Sequence, residues 1–285
     1  MTGSRVESMT AVDQKSRPIA EEAVTQLGGV AAAPRLPADL RVRAGLPRAL
    51  GYLAMPTFLS LVCIGLYLYV NRRELDAIEQ RTLNKEYLTD RIIEHINLAA
   101  VSTVVVLALA IPLGILVTRP ITRFLTPVIL AIANMGQAIP SVGLLVLFTL
   151  TIGIGFRPAV MALVAYSALP ILRNTMVGLQ QVDPALIEAG RGMGMTKLQA
   201  LVRIELPLAV PVILAGARIA LILNVGVAVL GAFTNAGTLG DLIINGLALD
   251  RDPVLITGAV LTAVLALSID WLASIAEDVL TPRGL

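Results

Sequence analysis

Long uncharged apolar runs alternate with short charged intervals along most of this chain. Residues 49–70 carry no charge over about 22 positions, enough for one bilayer crossing at the α-helical rise. Residues 98–118 form a second uncharged run, with Pro112 and Gly114 as an expected kink. Residues 124–156 stay uncharged for about 33 positions, too long for one ordinary crossing. Asn134, Gly136, Gln137, Pro140 and Ser141 divide that run. This predicts an interfacial or partly inserted helix up to about residue 138 and a third span over 139–154. A short fourth span is expected over 158–172, ending at Arg173, a fifth over 208–233 and a sixth over 253–275. The fold class is therefore an all-α integral membrane protein with about six transmembrane helices, because open sheets cannot span lipid.

The intervals between the runs define the domain organisation. Residues 1–45 are rich in Ala, Pro, Gly and charges of both signs. They predict a disordered tail, with a short helix near 19–27, whose loss leaves basal activity nearly unchanged. Residues 46–71 hold the first span, with Tyr52, Tyr67 and Tyr69 suited to the membrane interfaces. Residues 72–95 read as an external connector whose surface helices would place Leu75, Ile78, Leu88 and Ile92 on one face. His95, the only histidine, reads as a solvated residue before the second span. Residues 96–280 form the core, with a cytoplasmic loop over 174–207. Arg41, Arg43 and Arg48 before the first span favour a cytoplasmic N-terminus, while Arg72 and Arg73 after it pull the other way. Six crossings from that start put Arg119, Arg123, Arg173, Arg191, Lys197 and Arg203 on the cytoplasmic side. The connectors at 155–157 and 234–252 carry only Arg157 and Arg251, in keeping with the excess of basic residues inside.

Composition narrows the chemistry. Hydrophobic residues make up 56% and charged residues 15% of the chain, against about a quarter charged in soluble domains. The net charge of +2 points to no nucleic-acid partner. The single cysteine, Cys63, excludes an intrachain disulfide and a cysteine metal cluster, and no metal site is expected. The sequence contains no GxxxxGK[ST] phosphate loop, so ATP hydrolysis is not expected on this chain.

The most informative interval is residues 183–207, DPALIEAGRGMGMTKLQALVRIELP. Asp183-Pro184 is a helix-entry signal, since Asp caps the first turn and Pro fits it. Small residues cluster at Ala189, Gly190, Gly192 and Gly194, and Leu198, Leu201, Val202 and Leu206 follow at helical spacing. A plain cytoplasmic loop of two short helices is the bland reading. The spacing of Glu188, Ala189, Gly190, Gly194, Ile204, Leu206 and Pro207 resembles the signature of ATP-binding-cassette importer permeases, EAA-x3-G-x9-I-x-LP. One position departs, Gly190 standing where that family usually has Ala. The resemblance implies a MetI-like permease core in a bacterial or archaeal cell membrane, and a coupling helix that docks on a cytoplasmic ATPase. It further implies two ATPase subunits carrying ATP and Mg, a second permease copy or a similar permease, and an external substrate-binding protein. This chain itself would bind no cofactor and catalyse no reaction. Small side chains would let the helix approach its partner, with Glu188 and Arg191 paired at the edge.

Further stretches resemble the osmoprotectant branch of these importers, which handles glycine betaine, choline, carnitine or proline betaine. They are Ala133-Asn134 with Gln137 to Ser141, Ala168 to Thr175, Val182 to Ala189 with Gly192 to Thr196, and Asn235 to Ile243. A quaternary ammonium is held best by several aromatic faces. The core offers only Phe124, Phe148, Phe156, Tyr166, Phe233 and Trp271, scattered in sequence. Selectivity is therefore expected mainly in the external binding protein. Asn134, Gln137, Ser141 and Asn224 are candidates for a weakly binding path, or else for helix-packing hydrogen bonds. Arg218 and Asp270 fall at similar depth in the inner half of the bilayer, where lone charges are costly. They are expected to pair, or otherwise to snorkel separately. Two other functions remain open: a permease of the same fold for amino acids or another small solute, and a membrane scaffold or channel without ATP coupling.

Overall fold

A computed structural model describes residues 48–280; the expected tail over 1–45 and Arg283 lie outside them. The described residues are helical throughout. The helices are α1 (Arg48–Asn71), α2 (Ala77–Thr82), α3 (Lys85–Thr118), α4 (Thr126–Ala138), α5 (Ser141–Ile152) and α6 (Phe156–Gln180). They continue with α7 (Pro184–Gly192), α8 (Lys197–Ala200), α9 (Leu206–Val227), α10 (Gly240–Ala248) and α11 (Asp252–Leu280). A π turn, Leu201–Glu205, runs α8 directly into α9, and a 3-10 segment, Ala228–Thr234, follows α9. Five stretches are long and apolar enough to cross a membrane, and the pair α4–α5, bent by 102°, makes a sixth if it is one broken span.

Packing decides how that pair runs. Leu98 in the first half of α3 shares a core with Ala159, Ala162 and Leu163 in the first half of α6. Gly114 near the end of α3 meets Thr175 near the end of α6, where no Cβ would fit. The two helices are thus parallel, and both end beside the 183–207 segment. The chain leaves α3 at that end and enters α6 at the other, so α4 and α5 together carry it across. The backbone breaks at Ile139-Pro140, where Pro140 has no N–H to continue a ladder. Thr126 Oγ1 donates to the Val117 carbonyl and starts α4 beside the end of α3. Gly136 allows α4 to rest on the backbone of Ala165 in α6. Leu144 and Leu145 of α5 then join the core around Leu98. The return helix α9 packs antiparallel to both, with Gly178 against Ala209 and Gly216 against Asn174.

Several boundaries differ from those the hydropathy predicts, each for a local reason. The second span begins at Lys85, not near 98, because Asn84 caps it and accepts from the Tyr87 N–H at 2.8 Å. The second half of the expected connector over 72–95 is therefore the first turns of α3, with Leu88 and Ile92 packed against Leu239, Leu242 and Val254. His95 is not solvated. It is fully buried and donates from Nε2 to the Val225 carbonyl at 2.9 Å. Arg173 does not end the fourth span: α6 runs on to Gln180 because Arg173 donates to Asn134 Oδ1 at 3.0 Å and Asn174 to the Pro170 carbonyl. The fifth span leaves α geometry at Val227, where the Val225 and Val229 carbonyls are taken by His95 and Thr238. The polar connector 234–252 contains α10, and α11 reaches Leu280, beyond the expected end at 275.

Candidate functional site

The 183–207 segment is built from its capping residues. Asp183 accepts the Ala185 N–H at 2.9 Å and Pro184 occupies the first turn of α7. Gly194 has φ +90°, a left-handed conformation that favours glycine. Its N–H donates to the Arg191 carbonyl at 3.0 Å, and that of Met195 to the Gly190 carbonyl at 3.2 Å. Together these bonds close the helix in the Schellman pattern. Thr196 and Gln199 then form a reciprocal capping box that starts α8. Gly190 is buried, and a Cβ there would land against Ile204 Cδ1 and Met195 Sδ. This is the physical counterpart of the departure at that position: Ile204 fills the space an alanine methyl would take. Glu188 and Ala189 are exposed, and Leu206 and Pro207 open α9. Glu188 and Arg191, expected to pair, form no ion pair with each other among the described residues; both are exposed, where such a pair gains little.

The outer surface of this segment is apolar. Met193 is 75% and Leu198 69% exposed, with Leu186 and Val202 also uncovered. Inside it, a groove of about 670 Å³ runs between α7–α8 and the ends of α3 and α6. Two residues that the motif reading passes over stand in its wall. The Arg119 guanidinium grips the Glu205 carboxylate through both terminal nitrogens, at 2.6 and 3.2 Å, and the Glu205 side chain is only 8% exposed. Glu205 is the free position inside I-x-LP, so the motif gives it no role. An acid one residue before one apolar run and a base one residue after another were the available signal.

The candidate path residues do not form one set. Asn134 is exposed and held by Arg173, while Gln137 and Ser141 flank the α4–α5 break and are half-buried. Asn224 is 0% exposed and donates to Thr103 Oγ1 at 2.9 Å, so it fastens α9 to α3 and lines no open face. The cavity nearest the break, about 240 Å³, is apolar, with Val106, Leu109, Leu113, Ile132 and Leu172 in its walls. Of the six core aromatics, Phe148, Phe156 and Tyr166 gather on the core around Leu98 and Leu163, packed rather than open as a cage. The membrane charges do meet. Arg218 lies 2.7 Å from Asp270 and, at 3.2 Å, also from Glu277. Glu277 sits two turns beyond Asp270 on the same face of α11, a periodicity visible in the sequence once the span is extended to 280.

These features define a polytopic transport subunit: parallel and antiparallel spans around an apolar cavity, with a capped helical elbow at one end. Residues 110–282 match the family model "binding-protein-dependent transport system inner membrane component". The chain belongs to this family. It is 40% identical over 206 residues to the carnitine transport permease protein OpuCD of Listeria monocytogenes, covering 72% of this chain and 92% of that one. It is 41% identical over 192 residues to the choline transport system permease protein OpuBB of Bacillus subtilis, covering 67% and 88%. The osmoprotectant import permease protein OsmW of Salmonella typhimurium is 40% identical over 216 residues, 74% of this chain and all of that one. Among solved structures, an inward-facing conformation of the MetNI methionine ABC transporter superposes with a TM-score of 0.63 at 28% identity, covering 70% of this chain and 100% of that one. The protein is thus an all-α membrane permease of the ABC transporter class.

Proposed function

We propose that this chain is the membrane-spanning permease subunit of an ATP-driven importer for osmoprotectants, the class that includes glycine betaine, choline, carnitine and proline betaine. One observation carries the coupling half of this reading: a pre-formed, glycine-capped elbow exposes Met193 and Leu198 at the end where α3 and α6 finish. An exposed apolar surface rimmed by charge is what a docking partner covers. In this reading Glu188, Ala189, Gly190, Gly194, Ile204, Leu206 and Pro207 shape the contact with the ATPase. ATP and Mg sit on that partner, and this chain binds no cofactor. The complex contains two ATPases, a second permease copy or a similar permease, and an external binding protein. The names of the relatives at about 40% identity support the solute class. The elbow faces the cytoplasm, as does the N-terminus, and residues 1–45 are dispensable for basal transport.

The test is reconstitution of the complex in proteoliposomes with its ATPase and binding protein. ATP-dependent uptake of glycine betaine, choline or carnitine is the expected result. Likeness to the methionine transporter keeps one other reading in the experiment: uptake of amino acids alone would replace the solute class. A permease that co-purifies with no ATPase would instead be a scaffold or channel.

A further inference from the structure

We propose that the Arg119–Glu205 pair is the mechanical link through which movement of the elbow reaches α3 and the apolar cavity it lines. The proposal rests on the importer reading above. The helix α7 packs on α8 and on the π turn, and the groove separates it from the ends of α3 and α6. Motion imposed on the exposed face of α7 has two ways into the bundle, the three-residue joint 181–183 to α6 and residues 197–205, and the second leads to α3. The direct route along that rod is soft, because a π turn is a wide, less stable stretch of helix that can change register. Motion is absorbed there unless the turn is tied sideways.

Glu205 is the last residue of the π turn, and its carboxylate is the tie. The other side is stiff. The Arg119 Nε donates to the Ile115 carbonyl at 3.3 Å and Nη2 to Thr118 Oγ1 at 3.3 Å, so the guanidinium is fixed on the last turn of α3. Its planar fork leaves two donors for Glu205, a geometry that transmits direction as well as attraction. From Arg119, α3 runs back to Leu113 and, beyond Pro112, to Leu109 and Val106 in the cavity wall. The link therefore joins the elbow to the helix that lines the cavity. Arg119 and Glu205 are positioning residues in this scheme; neither needs to touch solute or nucleotide.

The experiment compares the whole complex in proteoliposomes, with glycine betaine and choline as probes. It reads solute moved per ATP hydrolysed for wild type, Arg119→Gln, Glu205→Gln and the exchanged Arg119→Glu/Glu205→Arg. Each single variant is expected to lower that ratio about tenfold, the scale of an ordinary coupling between sites. The exchange is expected to recover part of it. A merely structural pair would lower uptake and hydrolysis together, in step with the amount of assembled complex, leaving the ratio at the wild-type value; that result, or an exchange no better than the singles, overturns the proposal. A wild type that hydrolyses ATP without moving either probe or any amino acid defeats the importer reading itself. A wild type that couples normally beside single variants of unchanged ratio defeats the link alone.

Discussion

Gly190 and Ile204 are two positions of one packing decision. A Cβ at 190 would press on Ile204 Cδ1, the far end of a side chain that can turn aside, whereas elsewhere in the fold the obstacle is backbone. Gly190→Ala gains about 1 kcal/mol of helix propensity and loses a similar amount to crowding, so its net effect on thermal stability is expected to be small. Combined with Ile204→Val, which removes the offending methyl, the same change should raise the unfolding temperature of the detergent-purified permease above both single variants; additive effects would show that the two side chains do not compete. Gly194 follows a different rule. Among the described residues nothing beyond its immediate neighbours lies within 4 Å of a Cβ there, so the demand is conformational, from φ +90°. Gly194→Asp should leave the permease in the membrane and abolish uptake, by straining the cap and placing a carboxylate on the exposed face proposed for docking. Gly194→Asn, which tolerates left-handed backbone and carries no charge, should retain more uptake than Asp; equal losses would make the strain alone responsible. The turn at Gly194 was legible in the sequence because small residues and a capping Asp surround it. The burial of His95 and Asn224 was not, since each depends on a carbonyl or hydroxyl brought from a helix more than a hundred residues away.

At the scale of elements, charge within the spans sets how α9 and α11 join. Arg218 lies 12 residues into α9, about 18 Å along the axis. It meets Asp270 and Glu277 together, which makes the consequences of truncation unequal. Arg218→Leu takes the cation from Asp270 and one partner from Glu277, and should reduce the amount of assembled complex most. Asp270→Leu leaves Glu277 to hold the guanidinium and should be milder. Arg218→Leu/Asp270→Leu should recover part of the Arg218→Leu loss, because one uncompensated carboxylate is removed from the membrane. Yields measured after detergent extraction check the order; equal losses for the two single variants would mean that Glu277 gives no support. Hydropathy located five of the spans because an uncharged run of sufficient length has few other fates, whereas the span expected over 139–154 is only the second half, Ser141–Ile152, of the bent pair. It misplaced the ends wherever polar side chains found partners inside the helix, as Arg173 and Asn174 do in α6 and Arg91 does with Asp241 at the start of α3. Helix ends are fixed by caps and captured carbonyls, and these are tertiary contacts that a hydropathy profile does not contain.

For the whole molecule, the decisive element is the broken pair α4–α5. A profile alone leaves two topologies, since a bend of 102° suits a re-entrant hairpin as well as an interrupted crossing. The parallel packing of α3 and α6 selects the crossing, because both helices end beside the elbow and the chain must return between them. The two topologies place the α3–α4 and α5–α6 joints on opposite sides or on the same side of the membrane. Ile121 in the first joint and Ile154 in the second are both highly exposed, so a cysteine at either is open to reagent. Cys63 is the only native cysteine, and Cys63→Ala supplies a clean background. On that background Ile154→Cys should react with a membrane-impermeant maleimide in intact cells. Ile121→Cys should react only after the membrane is opened. Labelling of both from the same side would turn α4–α5 into a re-entrant hairpin and reduce the crossings to five. It would also put the elbow and the α3 terminus on opposite faces of the membrane. Arg119 and Glu205 could not then touch, so this labelling pattern tests the helix count and the ion pair in one measurement.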